Sequence, residues 1–388
     1  AGRKVAMGLA LVGGLWSMWL LARRVGLSLT AAVFAAVVWA LNGWHAYHLA
    51  VGHMDHLTFL FQPLVLYCFL RSLKDMRWSV AAGGLLALMY LSGGPYPLVF
   101  SGVLLVVCGL LFTGRENSAK PVKAAFAALV FGAGFMAIKM LSTLEFMLFA
   151  EGVANDVTGT GFRVLWRALV DSSLPMYAKY AGTQYGSWEY AAFIGYIPIA
   201  VFLLGAVTCA RKAWPWLAMG GIFLLASFGA RSPVNFFALF TALPGLSGMH
   251  VPFRFVAHVI IAAAIVGGMG LDWMTEKLRG MGMGQAGIVF GVVLATGTTI
   301  NLVWMHYDRP VSLYRLTAYL VPPAKYGGSM PDPAPYAMLE PGQEIYVPVT
   351  YDQALTVYVK FLESQRLSWG YDATRLANQA KFATEDGY

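Results

Sequence analysis

The sequence predicts an all-α polytopic membrane protein, and two observations support that fold class. Hydrophobic residues make up 58% of the 388 residues and charged residues only 12%, a balance typical of chains that bury their helices in lipid. Apolar stretches also recur along the chain at lengths near the roughly 20 residues that a helix needs to cross a bilayer. Because lipid offers no partner to backbone N–H and C=O groups, such stretches are expected to be helical.

About ten apolar stretches are predicted to span the membrane, although several are shorter than a full crossing requires. All of them lie before residue 306, so residues 1–305 form the predicted transmembrane domain. One further helix is expected before Ala1, because the chain starts without Met on the predicted outer side. The predicted spans are residues 5–22, 28–44, 57–70, 78–92, 97–113, 124–145, 190–210, 214–229, 255–271 and 286–305.

Short loops after alternate spans carry many basic residues and predict which face is cytoplasmic. Five such loops hold 12 of the 27 Lys and Arg residues, and the positive-inside rule places them in the cytoplasm. The long connections 45–56, 146–189 and 230–253 then lie outside. This bias accounts for the formal charge of +8, so we expect no nucleic-acid partner. The basic residues of the five loops are Arg23, Arg24, Arg71, Lys74, Arg77, Arg115, Lys120, Lys123, Arg211, Lys212, Lys277 and Arg279.

Residues 306–388 are predicted to form a small extracytoplasmic appendage. Charged residues become frequent there, and five prolines between residues 322 and 335 interrupt a continuing helix. Alternating side chains at residues 344–350 predict a strand, and helical spacing at residues 353–365 predicts a helix. Nothing in this tail indicates catalysis, but it offers a surface through which membrane protein partners would bind.

Four of the seven histidines fall within twelve residues of the first long outer loop. A glycine turn presents His53, Asp55 and His56 together, and imidazole and carboxylate groups are ligands for Zn²⁺, Mn²⁺ or Mg²⁺. These three residues are therefore the predicted contacts of a divalent cation or an anionic headgroup. For His45 and His48, the alternative to metal binding is a place at the lipid–water boundary, where such rings are common.

Lys139 and Glu145 are ionisable residues in the outer half of the sixth predicted span. Such groups cost about 2.5–3.5 kcal/mol at mid-bilayer, so they are expected to face a cavity or a partner. The two side chains could pair, although a separation of six residues places them on different helical faces. In the other interpretation, Lys139 faces a lipid-phosphate pocket and Glu145 lines its mouth.

The last outer segment, residues 243–255, combines turn residues with His250 and Arg254. Two prolines and two glycines predict a compact turn that delivers both side chains to the start of the ninth predicted span. Arginine binds phosphate well because its planar fork donates two parallel hydrogen bonds. Arg254 is therefore a candidate phosphate ligand, the alternative being an arginine that extends to lipid headgroups.

This segment resembles the LPG…fRxPxRf stretch of the bacterial YfhO-like family, whose multipass membrane proteins are similar to the GT-C class of glycosyltransferases. The resemblance covers residues 45–272 and departs from the family at His250, where an Arg is usual, and at Ser142, where a Pro is usual. Further family-like pieces, in the family's order, are Gly52-His53 with Gln62-Pro63-Leu64, Thr143-Leu144-Glu145, and Trp188-Glu189-Tyr190 with Gly195-Tyr196-Ile197-Pro198.

The resemblance implies a GT-C-like fold in the bacterial inner membrane. It also implies the extracytoplasmic transfer of a sugar from a polyprenyl-phosphate donor to a cell-envelope acceptor. The catalytic base of that class lies in the first outer loop, which is expected before Ala1, so no catalytic residue of this chain is predicted.

For sugar transfer, the candidate substrate-binding residues are Lys139, Glu145, Glu189, His250 and Arg254. Glu145 and Glu189 would contact the acceptor, while Arg254 or the divalent cation would hold the lipid phosphate as leaving group. The alternative function is that of a non-catalytic subunit or scaffold in a larger membrane complex. A transporter is disfavoured, because the sequence lacks broken helix pairs in symmetric halves.

Overall fold

A computed structural model describes residues 2–50, 53–149, 159–172, 187–242, 249–319, 344–350 and 354–360. Helices dominate these ranges, joined in four places by short 3-10 helices at Met54–Phe61, Ser187–Tyr190, Gly229–Arg231 and Pro252–Phe255. The α-helices are α1 (Gly2–Val25), α2 (Leu29–Ala40), α3 (Gly43–Ala50), α4 (Gln62–Ser72), α5 (Arg77–Leu91), α6 (Pro95–Glu116), α7 (Lys120–Phe149), α8 (Phe162–Val170), α9 (Tyr196–Thr208), α10 (Ala210–Ser227), α11 (Phe236–Thr241), α12 (Val256–Gly280) and α13 (Gly284–Tyr319).

Six helical segments of the described residues are long and apolar enough to cross a membrane. They confirm the prediction of a multipass helical membrane protein, but they do not confirm the predicted number of ten crossings. The six candidate spans are Val5–Val25, Leu29–Leu49, Pro95–Glu116, Lys120–Leu141, Pro252–Gly280 and Gly284–Met305.

Three of the four remaining predicted spans correspond to shorter or divided helices, and the fourth, at 214–229, corresponds to the 18-residue helix α10. The predicted span at 57–70 is split between the 3-10 helix Met54–Phe61 and α4. Helices α5 and α9 have 15 and 13 residues. At about 1.5 Å per residue, α9 extends roughly 20 Å, which is less than the ~30 Å hydrocarbon core of a bilayer. Length and composition therefore support six spans among the described residues, and the number of ten stays a prediction.

Helix α12 lies at the centre of the bundle. The apolar window of its span is 89% buried, whereas the windows of the α7 and α13 spans are each 28% buried. Small residues make this central position possible, because they let neighbouring backbones approach closely. A Cβ at Gly270 of α12 would meet the carbonyl oxygen of Val201, and one at Gly205 of α9 would meet that of Val266.

Basic loops meet at one end of the bundle. Arg24 Nη2 donates to the carbonyl oxygen of Leu70 at 2.9 Å, which joins the ends of α1 and α4. Arg115 Nη1 donates to the carbonyl oxygen of Lys212 at 3.5 Å, which joins the end of α6 to the start of α10. This arrangement agrees with the charge pattern, which predicts that these loops share one face.

Outside the spans, the structure confirms one predicted element and corrects another. It also adds helix α8, which lies within the long connection 146–189. Strand β1 (Glu344–Thr350) confirms the predicted strand and pairs antiparallel with β2 (Ala354–Lys360). The helix predicted at 353–365 is therefore wrong at β2, where Thr and Val side chains favour extended backbone. Helix α13 also continues to Tyr319, beyond the predicted boundary at 305.

Candidate functional site

Helix α3 carries two of the clustered histidines into the bundle. Asn42 begins this helix, since its Oδ1 accepts the backbone N–H of His45 at 3.2 Å. The N–H of Gly43 donates to the carbonyl oxygen of Phe193 at 2.8 Å, and any side chain at Gly43 would collide with Phe193. The glycine therefore lets α3 pack directly against the segment before α9, which turns His48 inward.

His45 and His48 are 2% and 0% exposed, so their rings lie inside the protein and contact neither lipid nor water. This burial does not fit the interpretation in which the two rings rest among lipid headgroups. Inside the bundle, Nδ1 of His48 donates a hydrogen bond to the carbonyl oxygen of Trp44 at 2.8 Å. The Trp44 ring packs beside it with a centroid distance of 4.3 Å.

Three histidines come together between α3 and the 3-10 helix Met54–Phe61. One ring nitrogen from each of His48, His53 and His56 lies within 4.8 Å of the other two. The His48 and His56 rings are stacked with centroids 4.8 Å apart, and the His53 ring lies 5.4 and 5.1 Å from them. This histidine triad could hold a metal ion, since neutral imidazole is a good ligand for transition metals.

Asp55 contributes to the triad indirectly. Its Oδ1 lies 3.2 Å from Nδ1 of His56, so it contacts one side of that ring. Both nitrogens of the His56 ring are buried, and neither has a hydrogen-bond partner among the described residues. A buried polar atom without a hydrogen-bond partner lowers the free energy of unfolding by about 1–3 kcal/mol. The predicted set of His53, Asp55 and His56 thus lies together, but the structure adds His48 and places Asp55 behind His56.

Burial keeps the two histidines of the turn neutral. It lowers the pKa of His53 to about 3, with further lowering from the charges of His48 and His56. It lowers the pKa of His56 to about 4, although the contact with Asp55 opposes the effect. A neutral imidazole keeps the lone pair with which it binds a metal.

Glu189 and Arg254, predicted separately, form a buried ion pair. Arg254 Nε donates to Glu189 Oε2 at 2.8 Å, and Arg254 Nη2 donates to Glu189 Oε1 at 2.5 Å. The same Oε2 lies 3.2 Å from Nε2 of His48, so Glu189 connects the arginine to the histidine triad. Burial alone would raise the pKa of Glu189, but the charges of Arg254 and His48 outweigh it and hold that pKa well below its usual range.

The turn before α12 directs the Arg254 side chain toward Glu189. Val251 adopts a left-handed conformation with φ of 56°, which is uncommon for a β-branched residue, and its carbonyl oxygen accepts the N–H of Arg254 at 3.0 Å. The guanidinium lies over the ring of Tyr96, 4.4 Å from its centroid. The Tyr96 hydroxyl is 2.7 Å from Nδ1 of His250, so the predicted residue His250 belongs to the same group of polar residues. We call this group the polar constellation: His48, His53, His56, Tyr96, Glu189, His250 and Arg254.

One predicted site residue, Lys139, lies apart from this constellation. Lys139 Nζ donates to the carbonyl oxygens of Tyr90 and Leu91 at 2.9 and 3.2 Å, at the C-terminal end of α5. A cation is stabilised there because the last carbonyls of a helix lack helical partners. Glu145 belongs to α7, and its side chain lies outside the described residues.

A cavity of about 1020 Å³ opens beside α8, between the start of α9 and the middle of α13. Its polar lining includes Arg167, Thr298 and Asn301. None of the predicted site residues lines it. We therefore locate the candidate site at the buried polar constellation and not at this larger opening.

Sequence reasoning did not nominate Tyr96, and it left the role of His48 open. Tyr96 lies at the start of an apolar helix, where a tyrosine is ordinary and carries no distinguishing signal. His48 had one signal, its spacing of three residues from His45. That spacing predicts a shared helical face but not what the face contacts.

Fold and site together define a multipass helical membrane protein with a buried polar constellation at one end of its bundle. Comparison of the chain with protein-family models, curated proteins and solved structures finds no match. The resemblance to the YfhO-like family therefore stays a prediction.

Proposed function

We propose that this chain belongs to an extracytoplasmic membrane enzyme that transfers a sugar from a polyprenyl-phosphate donor to an envelope acceptor. The observation that carries the proposal is one atom of Arg254. Its Nη1 is buried without a hydrogen-bond partner among the described residues, while Nε and Nη2 are held by Glu189. A phosphate oxygen is the natural acceptor for such a donor.

The surroundings of Arg254 suit an anionic headgroup. Glu189 fixes the guanidinium from one side and the Tyr96 ring supports its face, so little side-chain freedom is lost when a phosphate binds. Glu189 itself is a poor general base, because its lowered pKa disfavours protonation. In this proposal Glu189 positions Arg254, and the acceptor is deprotonated by another group.

The location of the constellation is consistent with use of a lipid-linked donor. Tyr96 begins α6, and Arg115, near the other end of the same helix, contacts the basic loop that contains Lys212. If the basic loops face the cytoplasm, the constellation faces outward. It then lies at the depth where the phosphate of a membrane-anchored donor would meet the protein.

Binding of a polyprenyl monophosphate to the chain in lipid nanodiscs tests the proposal. Arg254→Lys keeps the charge but loses the fork, so we expect about ten- to hundredfold weaker binding, equivalent to roughly 1.5–3 kcal/mol. The matched control is Arg167→Lys, which changes a 49% exposed arginine on α8 and should leave binding unaltered.

Thermal unfolding midpoints of the three proteins control for folding. Equal binding by wild type and a folded Arg254→Lys variant would remove Arg254 from the site. Failure of the wild type to bind would instead favour the alternative of a non-catalytic scaffold subunit.

A further inference from the structure

We propose that His48, His53 and His56 form a zinc site between α3 and the following 3-10 helix. One ring nitrogen of each lies within 4.8 Å of the others. Three ligands on one tetrahedral Zn²⁺ at about 2.0–2.1 Å stand roughly 3.3 Å apart, so the ring nitrogens must approach one another and the stacked rings of His48 and His56 must rotate when the ion binds. The site involves atoms other than Arg254 Nη1 and does not depend on sugar transfer.

The contacts of two rings indicate which nitrogen would bind the ion. His48 Nδ1 donates to the carbonyl oxygen of Trp44, so Nε2 is the ligand atom of His48, and metal binding would replace its 3.2 Å contact with Glu189 Oε2. Asp55 contacts Nδ1 of His56, which leaves Nε2 of His56 as the ligand atom. Zinc-binding histidines are typically held in this way, with a carbonyl or carboxylate on the outer nitrogen.

The His56 ring is the observation that points to a ligand. It is 3% exposed, neither of its nitrogens has a hydrogen-bond partner among the described residues, and one of them lies in the triad. Bound Zn²⁺ would satisfy it.

Zinc is favoured over the harder cations by the ligand type. Mg²⁺ and Mn²⁺ prefer carboxylate and carbonyl oxygens, whereas three imidazoles suit Zn²⁺. The nearest carboxylates carry the outer roles: Asp55 contacts His56, and Glu189 is already paired with Arg254.

The proposed site would keep a reactive position. Three protein ligands would leave the fourth position of tetrahedral Zn²⁺ for a water or a substrate oxygen, which is the arrangement of catalytic zinc sites. Glu189 Oε2, 3.2 Å from His48 Nε2, lies next to the triad.

Metal analysis of the purified full chain tests the proposal with Zn²⁺ and Co²⁺ as probes. Protein stripped with a chelator, reloaded with Zn²⁺ and desalted should retain about one Zn²⁺ per chain. Co²⁺ titration should give the visible absorption of a tetrahedral site. His53→Ala and His56→Ala should each abolish both signals, and Asp55→Asn should weaken binding about 10–100-fold.

His250→Gln is the control, because it changes a histidine of the same constellation outside the triad and should retain the metal. Unfolding midpoints of the metal-free proteins verify folding, and His53→Ala serves if the more deeply buried His56 variant does not fold. Lack of Zn²⁺ and of a Co²⁺ spectrum in the wild type would overturn the proposal. Metal content that His53→Ala leaves unchanged would overturn it equally.

Discussion

Glu189 and Arg254 lie 65 residues apart in the chain and meet as a buried ion pair. Their side chains are 3% and 6% exposed, so neither charge can be solvated by water if the other is removed. The pair is therefore held together by the cost of separating it as much as by its own attraction. Of the contacts in the site, we therefore expect this ion pair to be the most sensitive to substitution of one partner.

Glu189→Gln should destabilise the protein, because it leaves the Arg254 charge buried without its counter-ion. We expect a loss of about 3–5 kcal/mol in the free energy of unfolding. Asp171→Asn, which breaks the exposed pair with Arg167 on α8, should cost about 0.3–0.5 kcal/mol. Unfolding of the three proteins in one detergent, followed by circular dichroism, provides the comparison. Equal midpoints for the two variants would contradict this account of the pair.

The packing of helix α9 against helix α12 depends on one glycine in each helix. Gly205 and Gly270 face each other's helix, and each site has room for a hydrogen only. In a membrane, helices gain little from excluding lipid, so close backbone packing is a main source of their association. Glu189 lies before α9 and Arg254 before α12, so this contact also sets the distance between the two residues.

Gly205→Ala should push α9 away from α12 and cost about 1–3 kcal/mol, because the new methyl group would overlap the carbonyl oxygen of Val266. Gly221→Ala on α10 is a matched control, since a Cβ there meets nothing within 4 Å. That change should be neutral or stabilise by about 0.4–1 kcal/mol. The thermal unfolding midpoints of the two variants test these expectations. A Gly205→Ala variant as stable as the wild type would show that the helices are not in backbone contact.

Over the whole molecule, the two ends of the bundle differ in their charged and polar residues. The basic loops meet at one end, as the Arg24–Leu70 and Arg115–Lys212 contacts demonstrate. The polar constellation, which includes Tyr96 at the opposite end of α6 from Arg115, lies away from them. A membrane potential and the insertion machinery act on the basic end, so we expect that end to face the cytoplasm.

Single cysteines at Ser118 and Ser329 should therefore react with an impermeant thiol reagent from opposite sides of the membrane. Ser118 lies in the basic loop before α7, and Ser329 belongs to the tail, outside the described residues. The natural cysteines Cys68, Cys108 and Cys209 are first replaced by serine or alanine. Labelling of both sites in intact cells would contradict the predicted orientation.

Residue chemistry made part of the site predictable. The His53–His56 turn stood out as a cluster of metal-ligand side chains at a glycine, and Arg254 with His250 because a compact turn delivers them to the start of a span. Their partners did not stand out, since Tyr96 and His48 look like ordinary interfacial residues until the helices are packed. Lys139 was singled out by the cost of an ionisable group in a membrane, yet its partners are backbone carbonyls that leave no mark in a sequence.

The sequence by itself determined that this is a multipass helical membrane protein, because bilayer thickness and unsatisfied backbone groups constrain every span locally. It did not determine the number of spans, since an apolar stretch of about 15 residues suits a short buried helix as well as a crossing. Only the tertiary structure decided that Glu189 pairs with Arg254 and that His48 joins His53 and His56. Such contacts depend on how distant helices pack, and no local pattern encodes that distance.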